Sequence, residues 1–428
     1  MPARKTDPYI SQRLPNGLRV VVCQLLHVES VSIGVWVRAG GRYERGDAAG
    51  TAHFLEHLLF KGTRTRTCEQ LKQAIEGIGG SLNGFTAEEF TCYLAKVPTK
   101  HLSRAITVLT DMVLHPSLTP RDIEREREII LEEIRMSEDQ PAQYVHDVLN
   151  QLMWPNHPLG NLLAGTEDTV KRITPAAIRA YWKRFYHPRH ALVACAGALE
   201  PDALLAALRK AFNGARTGTI QRIAPAPRST LGPRVRVLHK TSEQTHLCVG
   251  TRAMARMHPQ RFAIELLHVL LGANMSSRLF HEVREKRGLV YEIGTHIKRY
   301  HDTGAFVIYA GCDASKLSKT LQTVSSELRR IKRDAISAAE LRRAKEFYNG
   351  QLVLSLEDTM DQMLWIGEQA MTVGHVGRPD ELMRAIDRVT SEQIQRAAQL
   401  LFTDRQTYLA VIGPIAEQDG PDLREQLS

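Results

Sequence analysis

Two periods of apolar residues alternate along the chain. Short apolar-rich runs over 18–23, 31–37, 91–96 and 191–195, the first two read as alternating, predict strands. Between them, apolar positions recur every three or four residues over long stretches, which predicts helices. The same order then repeats. Strands are expected over 235–238, 246–250, 304–310 and 406–412, with helices near 259–272 and 276–287 and further long helices beyond. Strand runs mixed with long helices predict an α+β fold of mostly antiparallel sheets, each covered by helices on one face. The repetition predicts two homologous domains, 1–214 and 234–428. The segment 215–233, rich in Pro, Gly and Ser and without periodicity, reads as the linker. At 428 residues the chain exceeds one ordinary core, which agrees with two domains.

One short helix breaks the apolar pattern with chemistry. In Gly50-Thr-Ala-His-Phe-Leu-Glu-His-Leu-Leu-Phe-Lys-Gly62, Thr51 is placed to cap the start and Gly62 to end it. Phe54, Leu55, Leu58, Leu59 and Phe60 surround most of its circumference, so the helix is expected to be buried. His53 and His57, four apart, share one face, and Glu56 borders it. Two imidazoles and a carboxylate on a buried helix are costly unless they are paired or bind a metal. Neutral imidazoles at this spacing can both face one Zn²⁺ ion, with Glu56 beside it. A pair of hydrogen-bonded core histidines is the plainer alternative, and a metal needs a third ligand.

The helix over 119–135 offers candidates. Thr119 caps it, with Pro120 in the first turn and Asp122 three residues after the cap. Glu124, Glu128 and Glu132 face outward with arginines as a solvated ladder. Glu126 and Glu133 instead share the spacing of Ile123, Ile130 and Ile134, the apolar stripe. A carboxylate there is a candidate metal ligand or a partner supporting one.

The His-x-x-Glu-His signature, the 75 residues after His57, and Glu133 within Glu-Arg-Glu-Arg-Glu-Ile-Ile-Leu-Glu-Glu together resemble the inverzincin (pitrilysin/insulinase, M16) family of zinc metallopeptidases. The likeness runs along nearly the whole chain and is nearest to the short, processing-peptidase-like branch. The resemblance implies that His53, His57 and Glu133 hold one Zn²⁺ per chain, that Glu56 is the general base, and that Glu126 supports a ligand histidine. It also implies that Ser81, Leu82, Asn83, Gly84 and Phe85 form an edge strand beside the metal, where an extended peptide substrate adds as another strand. Relatives usually carry Asn-Ala where this chain has Asn83-Gly84, so a locally looser strand is expected. In the second half, Arg284 and Tyr291 match a pair that contacts substrate in related enzymes, with Tyr291 facing the developing oxyanion. Arg278 is a further candidate.

With both elements in one chain, the resemblance implies a homodimer enclosing a chamber, or a heterodimer with a paralogous subunit. The implied activity is endopeptidase action on short or unfolded peptides. Alternatives are a dedicated precursor-peptide maturation protease with a partner subunit, or a non-catalytic scaffold subunit.

Composition narrows this further. The 56 basic and 47 acidic residues give +9 but are mixed along helices, without a basic stripe carrying aromatics, so no nucleic-acid partner is expected. No apolar run reaches membrane-spanning length and the first residues do not read as a signal peptide, so no membrane partner is expected. Six scattered cysteines without a Cys-x-x-Cys pair read as reduced thiols, and a cytoplasmic location is expected.

Overall fold

The computed structural model describes residues 8–227, 234–403 and 406–427. The first seven residues, 228–233 at the end of the expected linker, 404–405 and Ser428 lie outside the described residues.

The first sheet contains β1 (Tyr9–Arg13), β2 (Arg19–Gln24), β3 (Ser30–Val37), β4 (Ser81–Thr86), β5 (Thr91–Pro98) and β6 (Ala191–Gly197), in the order β1-β2-β6-β3-β5-β4. The second contains β7 (Val235–His239), β8 (Thr245–Ala253), β9 (Val290–Arg299), β10 (Gly304–Cys312) and β11 (Thr407–Gly413), in the order β7-β11-β8-β10-β9. The orders β2-β6-β3-β5-β4 and β7-β11-β8-β10-β9 are the same pattern. In each, the first pair is parallel and the others are antiparallel. The expected duplication is therefore present as topology, and β1 is an addition to the first copy.

Both faces of each sheet are covered, where the sequence pattern predicts one. Val20, Val22, Ile33 and Val35 face a core with Phe54, Leu55, Leu109 and Ile130. The residues of opposite parity, Val21, Trp36, Leu192 and Ala194, pack against Met363, Ile366 and Ala370. Those three belong to the helix Thr359–Thr372, far along the chain. Strands apolar at both parities need a layer on each side. The second sheet receives the converse contribution. Val145, Val148 and Leu149 of the helix Pro141–Met153 cover Cys248, Val307 and Ala410. The compact units are accordingly discontinuous in sequence. One comprises Met1–Ile134, Leu162–Ala224 and Val353–Arg378, and the other Arg135–Asn161, Pro225–Leu352 and Pro379–Ser428. Each half of the chain thus lends one helix to the other half's sheet.

Candidate metal centre

The helix Thr51–Leu59 starts after Gly50, whose φ of +96° lies in the left-handed region that favours glycine. Thr51 does not cap it, because its hydroxyl donates to the carbonyl of Ala48 at 2.7 Å. The cap comes from Glu44, whose buried carboxylate accepts from the backbone N–H of Gly50 at 2.9 Å and of Ala52 at 2.5 Å. Phe54, Leu55, Leu58 and Leu59 are fully buried and fix the rotation of the helix. His53 and His57 are thereby left partly exposed on one side, with ring centroids 4.6 Å apart.

The helix Pro120–Glu138 lies beside it. As expected, the Thr119 hydroxyl accepts from the N–H of Asp122 at 3.1 Å. Arg127, whose role the sequence pattern did not show, ties this helix to the end of the helix Glu167–Arg172 and to Phe54. Its guanidinium donates to the Ile173 carbonyl at 2.8 Å and lies 5.4 Å from the Phe54 ring centroid. Glu126 is buried on the apolar stripe as expected, whereas the side chain of Glu133 is 47% exposed. Seven residues fall about 20° short of two full turns, so Glu133 sits at the open edge of the stripe.

His53, His57 and Glu133 each offer one ligand atom, and these atoms all lie within 4.8 Å of one another. Among the described residues no other group of three such side chains does so. His53 Nε2 stands 3.7 Å from Glu133 Oε1, and His57 Nε2 stands 3.6 Å from Glu133 Oε2. These separations are too long for hydrogen bonds but suit donors converging on an ion. Two imidazoles and one carboxylate are a donor set that zinc accepts. The residues present therefore fit a zinc ion.

The surroundings tune each donor. His57 Nδ1 lies 3.4 Å from Glu126 Oε2, which leaves Nε2 free on the Glu133 side. The other Glu126 oxygen is 2.8 Å from Lys61 Nζ. Burial acts to raise the Glu126 carboxyl, but hydrogen bonds from His57 and Lys61 hold it below its ordinary value. Burial acts to lower His57, and the Glu126 bond with the charges of Glu56 and Glu133 outweighs it, so the imidazole sits above its ordinary value. His53 has no such partner; burial, with His57 adding to it, takes it down to about 4. His53 stays neutral, as a ligand imidazole must.

Glu56 is buried and its Oε2 accepts from the Thr86 hydroxyl at 3.0 Å. Burial pushes its carboxyl up, Thr86 and His57 pull it back, and Glu133 adds to the rise. Thr86 ends β4, which among the described residues pairs only with β5 and forms the sheet edge. Along β4, Ser81, Asn83 and Phe85 are exposed, while Leu82, Gly84 and Thr86 are half-buried. A Cβ at Gly84 would stand 2.9 Å from Cζ of Phe60, so the ring of Phe60 occupies that place. Phe85 packs edge-on to Trp36, with centroids 5.9 Å apart.

Arg284 and Tyr291 belong to the other compact unit. Arg284 lies in a π-helical turn, Phe280–Glu285, with its guanidinium 4.7 Å from the Phe280 centroid. Tyr291, on β9, is 66% exposed. Arg278 is engaged, holding Glu340 through two bonds of 2.7 Å. In the repeated topology, the helix Arg261–Leu271 between β8 and β9 stands where Thr51–Leu59 stands between β3 and β4. That helix carries a single histidine, His268, which is bound to the Thr295 hydroxyl at 2.7 Å. Among the described residues the second copy holds no equivalent donor set. The sequence pattern also left Lys61, Thr86 and Glu44 unassigned. Only Lys61, four residues after His57 on the same helical side, carried a local signal.

Two family models match the chain: insulinase (peptidase family M16) over residues 19–167, and the peptidase M16 inactive domain over 172–348. A protein named an uncharacterized zinc protease from Mycobacterium leprae is 38% identical over 409 residues, covering 95% of this chain and 92% of that protein. A protein of the same description from Bacillus subtilis is 35% identical over 404 residues, covering 93% and 97%. Among solved structures, a protease from Helicobacter pylori superposes with a TM-score of 0.88 at 22% identity, covering 95% of this chain and 99% of that one. A chain of complex III from Candida albicans does so with a TM-score of 0.84 at 18% identity, covering 98% and 99%. The last two likenesses concern the fold.

Proposed function

The chain belongs to the M16 insulinase family of zinc peptidases, and from that premise we propose that it is an endopeptidase acting on short or unfolded peptides. The observation that carries this reading is the convergence of His53, His57 and Glu133 beside a buried Glu56 at the end of an open sheet edge. In this reading those three residues hold one zinc ion per chain. Bound there, zinc supplies Lewis-acid charge that makes water a usable nucleophile near neutral pH.

The chain's own residues do the rest. Glu56, its carboxyl raised by burial, takes the proton of the attacking water and returns it to the leaving amine. The Thr86 hydroxyl fixes which Glu56 oxygen remains open, since it occupies Oε2. Ser81 to Phe85 bind the substrate main chain as an added strand, a mode in which main-chain hydrogen bonds hold an extended peptide with little regard to sequence. Glu126 orients His57 through Nδ1. Tyr291, which is exposed, donates a hydrogen bond to the developing oxyanion, and Arg284 anchors a substrate carbonyl or carboxylate.

We place the chain as a homodimer enclosing a chamber. A dedicated maturation protease working with a paralogous subunit is the second reading. A peptide-library digest read by mass spectrometry, with a chelator control, separates the two. Many internal cuts in unstructured peptides, abolished by chelation, support the first. Absence of cutting without an added partner contradicts it.

A further inference from the structure

The segment Gly40–Glu44 touches both parts of the centre. At one end, the Glu44 carboxylate accepts from the N–H groups of Gly50 and Ala52, three residues and one residue before His53. Gly50 supplies no side-chain cap, so the start of the His53–His57 helix depends on this one carboxylate. At the other end, Arg42 holds the turn that follows β4. Its N–H donates to the Glu88 carbonyl at 2.7 Å, and its guanidinium meets Glu89 Oε1 at 2.6 Å. The Arg42 side chain is fully buried and Glu89 nearly so, which makes this pair hard to exchange for water. Gly40 completes the fit, because a Cβ there would stand 2.2 Å from the Ala87 carbonyl oxygen. Five consecutive residues therefore grip the first turn of the helix bearing His53 and Glu56, and the hairpin end bearing Thr86.

We propose that Gly40–Glu44 is a positioning bracket with separable arms, in which Glu44 sets the metal-ligand helix and the Arg42–Glu89 pair sets the substrate edge strand. The proposal rests on the peptidase reading above only for its kinetic arm. Loosening the helix start shifts His53 and Glu56, which changes metal affinity and turnover. Loosening the hairpin end shifts β4, which changes how tightly an added strand pairs. Neither residue touches substrate, so both act through others.

The test compares Glu44→Ala, Glu44→Gln and Glu89→Gln in the full chain. Zinc affinity is read by competition with a chromophoric chelator, and kcat and KM with a quenched peptide. Glu44→Ala is expected to weaken zinc binding by about tenfold or more and to lower kcat with KM within twofold. Glu44→Gln, which keeps one acceptor oxygen, is expected to restore much of both. Glu89→Gln is expected to raise KM about threefold or more and to leave zinc affinity unchanged. If Glu44→Ala does not fold, Glu44→Asp, with the charge kept and the reach shortened, is read on the same scales. Variants that lower only the melting temperature, or that move the same parameters together, overturn the bracket. Should the wild type cleave no peptide, the endopeptidase reading fails, while the zinc-affinity comparison still decides the Glu44 arm.

Discussion

His57 Nδ1 lies 3.4 Å from Oε2 of Glu126, a carboxylate that is 2% exposed and shared with Lys61. This contact selects the tautomer that turns Nε2 toward Glu133. In the proposed zinc site, Glu126 acts on the metal without binding it.

The first prediction follows from that contact. Glu126→Gln can still pair with Nδ1 but lacks the charge, and zinc affinity is expected to fall about 10- to 100-fold. Zinc titration monitored by competing chelator measures this. Activity returning at high zinc identifies the loss as one of affinity.

Gly84 gives the second. Gly84→Ala drives a Cβ into Phe60, and an overpacked site costs about 1–3 kcal/mol. Denaturant unfolding is expected to show that loss, and Phe60→Leu in the same chain to recover part of it. If Gly84→Ala alone is neutral, Phe60 does not occupy that place.

These two residues show where the sequence was readable and where it was not. The His53, Glu56 and His57 face followed from helical spacing, and so did Glu126, because both depend on contacts within one or two turns. Glu133 was placed correctly on its helix but too deep, since the lag of about 20° over the seven residues after Glu126 carries it to the edge of the stripe. Glu44 and Thr86 reach the site only through tertiary approach, and no spacing rule connects residue 44 to residue 52. The two-period pattern gave most strands, but β1 and β9 were missed because most of their residues are exposed or half-exposed. The second layer on each sheet was missed for a different reason. A strand apolar at both parities shows that a cover exists and leaves its origin open, and helices 359–372 and 141–153 come from the opposite half.

A pH dependence follows from Glu282. Hydrogen bonds from Lys286 and Arg287 hold its carboxyl down at about 2. The group contributes stability above the ordinary carboxylate value near 4.5 and loses it as the pH falls toward 2. Solvent screens such surface pairs, so the contribution is at most about 1 kcal/mol. Glu282→Gln is expected to lower the melting temperature slightly at pH 7. The difference from wild type should vanish near pH 2 and shrink in high salt. A difference that persists at pH 2 contradicts the ion-pair origin.

Sharing of sites in the proposed dimer has its own test. A Glu56→Gln chain mixed with a Tyr291→Phe chain is expected to regain activity if each site draws on both copies. No recovery, with subunit exchange verified, removes that arrangement.

The most direct measurement concerns Glu56. Zinc content and cleavage of a quenched peptide are determined together for wild type and Glu56→Gln. About one zinc per chain is expected in both proteins, with cleavage lost in the variant. Full cleavage by Glu56→Gln would contradict the assignment of Glu56 as the group that moves the proton.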